Sequence, residues 1–134
     1  MAHAVRSITQ RAWVPASPGD VYLAMLNPKL HAAFTGAPAT GVSRVGRRFT
    51  AYGGYIFGVH RKLVKGRRIV QEWATTEWPE DAPPSTVEFS FTPARGGTAI
   101  RMVHTNVPAT QAASYRQGWI DYYWKPLREY FEAA

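Results

Sequence analysis

The sequence predicts an α+β domain: an antiparallel sheet of six or seven strands covered by one long C-terminal helix, with two short helices after the first strand. Three observations lead there. Two proline-led helix starts follow a single alternating segment near the N-terminus. From Gly41 onward the hydrophobic period is two, with glycine turns between the segments. After Val107-Pro108 the period becomes 3.6 and remains so to the C-terminus. A length of 134 residues suits one domain over 1–134, with its core spanning about 5–131.

Val5 to Trp13 alternates as a first strand, with Val5, Ser7, Thr9, Arg11 and Trp13 on one side and Arg6, Ile8, Gln10 and Ala12 on the other. Ser17-Pro18-Gly19-Asp20 combines an N-capping hydroxyl, a proline whose missing N–H costs nothing in the first turn, and a first-turn carboxylate. Val21, Tyr22, Met25 and Leu26 follow at helical spacing. Asn27-Pro28 repeats the signal for a second short helix carrying Leu30, Ala33 and Phe34, which Gly36 ends. A short strand at Thr40 to Arg44 precedes five more: Arg47 to Tyr52, Tyr55 to Leu63, Arg68 to Thr75, Thr86 to Thr92 and Thr98 to Thr105. Gly53-Gly54, Lys65-Gly66 and Arg95-Gly96-Gly97 serve as hairpin turns, and Pro79 to Pro84 as the one long irregular connection.

Alternation separates the two faces of the sheet. Ile69, Gln71 and Trp73 share a side with Val87, Phe89 and Phe91 and with Ile100, Met102 and His104; charged residues occupy the other. In the C-terminal segment Tyr115, Trp119, Tyr122, Tyr123, Leu127, Tyr130 and Phe131 form an apolar stripe. About 24 helical residues would span roughly 36 Å, a width that six or seven strands at ~4.8 Å also cover. Gly118 weakens this helix, and Pro126 predicts a kink near Tyr122.

Composition narrows the function classes. With 46% hydrophobic residues, 5 Trp, 7 Tyr and 6 Phe, the chain has core material that disordered chains lack. The absence of cysteine excludes disulfide frameworks, thiol catalysis and thiolate zinc sites. Met1 to Gln10 has no apolar run of signal-peptide length, and nothing approaches ~18 consecutive apolar residues, so neither export nor a membrane span is expected and the cytoplasm is the expected location. A net charge of +7 raises the possibility of nucleic acid. Eight cations (Arg44, Arg47, Arg48, Arg61, Lys62, Lys65, Arg67 and Arg68) fall among predicted strands and turns, interleaved with Tyr52, Tyr55 and Phe57. They read as a solvated strand surface without one phosphate track, so no nucleic-acid partner is expected.

The order and spacing of several motifs carry a family resemblance over about Val5 to Phe131. They are Pro18-Gly19-Asp20-Val21-Tyr22, Asn27-Pro28 with His31 and Phe34-Thr35-Gly36, Gly46 with Phe49, Gly53-Gly54, Ile69-Val70-Gln71-Glu72-Trp73 with Trp78-Pro79, Thr98, Val107-Pro108, and Gln117-Gly118-Trp119 with Tyr122-Tyr123-Trp124. Together they resemble the family named for the C-terminal domain of the activator of the heat-shock-90 chaperone's ATPase, within the START and birch-pollen-allergen superfamily. The resemblance implies the helix-grip fold, a curved sheet wrapped around the C-terminal helix, and a cavity between them for an apolar small molecule. It also implies a chaperone or other protein partner as an alternative, since family members that activate the chaperone make that contact with help from a further N-terminal domain.

Within such a cavity the inward residues Gln71, Trp73, Phe89, Phe91, Met102, His104, Trp119 and Tyr123 are the candidate ligand-binding set. Polar groups are few: His104, Gln71 and one of the tyrosines Tyr52, Tyr55, Tyr115 or Tyr122. No carboxylate falls on the inferred inner face to complete an acid and base pair, so no catalytic residue is assigned, and an enzyme acting on a cavity-bound substrate is the third reading. His3, His31, His60 and His104 lie on different elements without ligand spacing, so no metal is expected; the glycine pairs lie between strands and not before a helix, so they make no phosphate cradle, and no cofactor is expected. The first reading is therefore a protein that binds a small hydrophobic or aromatic molecule.

Overall fold

The meander predicted from the turns runs in chain order through the sheet, and the first strand joins its far edge. In the computed structural model, which describes residues 4–134, the strands are β1 (Val5–Val14), β2 (Thr40–Gly41), β3 (Arg48–Ala51), β4 (Ile56–Val64), β5 (Arg68–Thr75), β6 (Ser85–Ala94) and β7 (Gly97–Pro108). Their order is β1-β7-β6-β5-β4-β3-β2, antiparallel throughout. Helices α1 (Pro18–Leu26) and α2 (Pro28–Thr35) follow β1 as expected. Ser17 caps α1 by accepting from the Asp20 N–H, and Asn27 caps α2 by accepting from the Leu30 N–H. The predicted turn at Arg95-Gly96 has both residues at positive φ, 48° and 75°, the twist that a two-residue hairpin requires.

Several expectations need correction. The strand at Thr40 to Arg44 is only Thr40–Gly41. The Gly53-Gly54 hairpin is a 3₁₀ turn over Tyr52–Gly54, with Tyr52 itself at a φ of 50°. Ala33 is exposed; His31 takes its place beside Phe34 as a buried residue of α2. On β1, Ile8 and Val14 are buried, which places the even-numbered side inward. His3 lies outside the described residues, as does the start of the N-terminal stretch.

Near the position where proline predicted a kink, the C-terminal helix changes its winding. Helix α3 (Ala112–Trp119) passes into a π-helical turn (Ile120–Trp124) before α4 (Lys125–Ala133). Pro126 has no N–H to offer the Tyr122 carbonyl and its ring would collide with it, so the helix widens immediately upstream. The wider turn delays the apolar stripe by one residue. Tyr123 and Trp124 are buried, whereas Tyr122, expected on the inner stripe, is 60% exposed.

Across the inward face of the sheet the helix is tied by aromatic packing and by polar contacts to different elements. The Trp119 ring lies 5.5 Å from Trp73 and 5.6 Å from Phe89, centroid to centroid. The Trp124 indole donates to Gln10 Oε1 of β1 at 2.8 Å, and Gln10 Nε2 donates back to the Arg116 carbonyl at 2.9 Å.

Candidate functional site

Large rings fill the middle of the grip. Trp73, Phe89 and Trp119 are 4%, 2% and 3% exposed, so most of the space expected for a ligand is occupied by protein. His104, fully buried, sits in a closed polar chain. The Trp119 indole donates to His104 Nδ1 at 3.1 Å; His104 Nε2–H donates to Ser85 Oγ at 2.7 Å; and Ser85 Oγ donates to the Trp73 carbonyl at 2.7 Å. Since indole is a donor only, Nδ1 must be the acceptor and the ring neutral. Burial lowers its pKa to about 3. This histidine holds helix to sheet. Phe91 packs edge-on against Tyr22, and Met102 is fully buried. Phe91, Met102 and His104 lie outside the lining of the two spaces described next.

The open space lies at one end of the grip. A cleft of about 490 Å³ separates the Tyr52–Gly54 turn and the start of β4 from α3 and the π-turn. Tyr52, Tyr55, Ile56, Trp73, Ser114, Tyr115, Gly118, Trp119, Tyr122 and Tyr123 line it. Of the expected ligand-binding set, Trp73, Trp119 and Tyr123 are brought together here. Tyr115, Gly118, Trp119 and Tyr122 stand at the i, i+3, i+4, i+7 spacing of one helix face, a signal present in the sequence. Gly118, which weakens the helix, is part of this wall: a Cβ placed there would meet only Tyr122, at 3.9 Å.

Hydrogen bonds hold the tyrosines in place. Tyr52 donates to the Tyr122 carbonyl, and Tyr55 to the Glu77 carboxylate. Tyr115 donates to Gln111 Oε1 at 2.8 Å while accepting from Thr75 Oγ1 at 2.7 Å; the Gln111 amide in turn donates to the Glu77 carbonyl at 2.7 Å. Burial raises the phenol pKa of Tyr52 to about 12, as does the neighbouring Tyr122; Tyr55 reaches about 12 through burial and its bond to Glu77. Burial raises Tyr115 and Tyr123 as well. All four therefore present neutral phenols at neutral pH.

Beside the cleft a second, much smaller space of about 20 Å³, enough for one water-sized guest, is lined by His31, His60, Gln71, Phe89 and neighbouring side chains. His31 Nδ1–H donates to the Met25 carbonyl at 3.0 Å and its Nε2 accepts from the Tyr123 hydroxyl at 2.9 Å. Gln71 Nε2 approaches His60 Nδ1 at 3.4 Å, and Phe49 stacks on the His60 ring at 5.0 Å. Burial lowers the pKa of both His31 and His60, partly offset in His31 by its backbone bond. Sequence reasoning did not place these two histidines inside. For His60 the obstacle is a β-bulge between His60 and Lys62, which breaks the alternation that a basic strand otherwise shows.

On the opposite face the basic stretch meets solvent. Arg61 pairs with Glu72 and Arg68 with Glu88 on adjoining strands, while Arg44, Arg47, Arg48, Lys62, Lys65 and Arg67 are exposed. No described helix is long and apolar enough to cross a membrane.

Comparison with known proteins agrees with this architecture. A human protein named Activator of 90 kDa heat shock protein ATPase homolog 1 is 32% identical over 124 residues, which are 92% of this chain and 36% of that protein; the chain spans about a third of that relative's length. Among solved structures, the Aha1 dimer from Colwellia psychrerythraea has a TM-score of 0.80 at 19% identity, covering 95% of this chain and 96% of that one. Ara h 8.0201 has a TM-score of 0.77 at 12% identity, covering 98% and 100%. These likenesses establish the helix-grip fold, with its seven-stranded curved sheet. Residues 15–132 match the family described as Activator of Hsp90 ATPase homolog 1-like protein, and the chain belongs to that family.

Proposed function

We propose that this protein is a cytoplasmic, single-domain binder of a small hydrophobic or aromatic molecule, held in the cleft between the Tyr52–Gly54 turn and the C-terminal helix. The observation that carries this reading is the cleft itself: about 490 Å³, walled largely by aromatic rings and open to one side. Ligand pockets of this kind run from roughly 300 to 1,000 Å³ and combine apolar walls with a few fixed polar groups. Of the eight residues expected from the sequence, Trp73, Trp119 and Tyr123 serve here. Gln71 and Phe89 line the smaller space beside it, His104 braces the wall residues Trp119 and Trp73, and Phe91 and Met102 are buried core. Native mass spectrometry of freshly purified protein tests for a co-purifying molecule. Titration with fatty acids and aromatic compounds, read by tryptophan fluorescence and thermal shift, tests occupancy. Gly118→Leu should intrude on the cleft without harming the helix and weaken any saturable response. No response from the unmodified protein to any probe would overturn the reading.

A second reading, an interaction module that contacts a heat-shock-90 chaperone through its outer surface, is favoured by the 32% identity to the human activator. Binding to the chaperone that persists in Gly118→Leu would support it.

A further inference from the structure

The cleft proposed above as a ligand site also has a chemical polarity. The phenol protons of Tyr52, Tyr55, Tyr115 and Tyr123 are all committed to acceptors elsewhere in the protein. Their oxygens therefore offer only lone pairs to a guest, and their rings offer electron-rich faces. Among the described residues, no Lys, Arg or His side chain lines the space. The Glu77 carboxylate joins this wall by accepting from Tyr55.

An anion entering here would meet the Glu77 carboxylate beside the wall and, among the described lining residues, the hydroxyls of Ser114 and Tyr122 but no cation to pair with. A neutral apolar guest would use the ring faces and leave the remaining lone pairs of the oxygens unused. A cation shielded by alkyl groups suits both parts of the wall, because ring quadrupoles attract positive charge while its substituents bury apolar surface.

We propose that the cleft selects an organic cation: a substituted or quaternary ammonium group lodged among the rings of Tyr52, Tyr55, Tyr115 and Tyr122, with Glu77 as its counter-charge. This rests on the ligand-binding reading and adds the sign of the ligand. Since the protein carries +7 overall, long-range electrostatics oppose such a guest, so selection has to come from these local contacts.

Titration of the full chain with choline and with its neutral carbon isostere, in which a tert-butyl group replaces the trimethylammonium, separates charge from shape. Indole N–H resonances of Trp73 and Trp119 report occupancy. The expected result is that choline binds about tenfold tighter than the isostere or better, and that Glu77→Gln and Tyr122→Ala, both at exposed residues, each weaken choline severalfold. Equal binding of the two compounds would overturn the cation assignment and leave the cleft reading standing. Choline binding that neither substitution changes would place the cation elsewhere and also overturn it. Silence from both compounds and from the whole apolar panel would overturn the cleft reading with it.

Discussion

The hydroxyl of Tyr52 donates, at 2.5 Å, to the carbonyl of Tyr122, the group that an N–H at position 126 would satisfy in a regular α-helix if that residue were not proline. A side chain from the β3–β4 turn thus supplies the donor that the helix lacks, and the same contact closes one edge of the cleft. Removing it in Tyr52→Phe should cost about 1 kcal/mol, since the carbonyl is near solvent and water can replace the lost partner. Pro126→Ala restores a backbone donor, so Tyr52→Phe should cost less in that background. A double-mutant cycle by urea denaturation measures the coupling; strict additivity would show that the two residues act independently.

Stability should fall as the solution is acidified. The folded pKa of His104, about 3, lies below its unfolded value of 6.5, so the unfolded chain binds the extra proton first. The stabilisation is complete above pH 6.5 and is lost progressively toward pH 3. At about 1.4 kcal/mol per pH unit, His104 alone accounts for a loss of about 2 kcal/mol between pH 6.5 and 5, with His31 and His60 shifted in the same direction. Urea melts at pH 7.5 and 5 check this; equal stability at both would show that His104 is not held neutral.

Phe89 and Tyr122 offer a contrast between core and cleft. Phe89→Ala removes a ring that is 2% exposed and should cost about 3–5 kcal/mol. Tyr122→Ala, at 60% exposure, should change stability by less than about 1 kcal/mol. Comparable costs at the two sites, measured by chemical denaturation, would contradict the phase of the π-turn.

Gly58 should tolerate no side chain. A Cβ there would lie 1.9 Å from the Glu72 carbonyl oxygen and 2.8 Å from the Phe49 ring. Gly58→Ala must push β4 from β5 or displace Phe49 from His60, at a cost of about 1–3 kcal/mol. Thermal denaturation of the variant decides; an unchanged midpoint would mean that the strands separate freely at this point.

Oligonucleotide binding should remain at the non-specific level of about 10⁻⁴–10⁻⁶ M at physiological salt and fall steeply with added salt. The cations of 44–68 are spread over strands and turns, and Arg61 and Arg68 already face carboxylates. Nanomolar binding at 0.15 M salt that weakens on Arg47→Ala would reverse this expectation, and a salt series with single- and double-stranded oligonucleotides measures it.

What could be read from the sequence depended on whether local signals were uninterrupted. Strand β5 runs from Arg68 to Thr75 as predicted, because a glycine turn precedes it and its alternation is unbroken. His60 was hidden by the bulge after it, and Trp124 by the π-turn, each of which shifts a periodic pattern by one residue. The cleft was legible only in part. Alternation indicates that Phe91, Met102 and His104 point inward, but which inward residues border empty space depends on how rings from distant segments pack. Here Trp73, Phe89 and Trp119 fill the centre and leave the opening beside Tyr52 and Tyr55.

The contacts between the C-terminal helix and its surroundings resemble a key cut to several depths. Tyr115 meets Thr75 on β5, Trp119 meets His104 on β7, Tyr123 meets His31 on α2, and Trp124 meets Gln10 on β1. Sliding the helix by one turn, about 5.4 Å, reproduces none of these pairings and leaves buried donors without acceptors. Apolar packing alone would accept several near-equivalent settings. The polar contacts make one of them unique, so an error in docking the last segment to fold is penalised at four places at once.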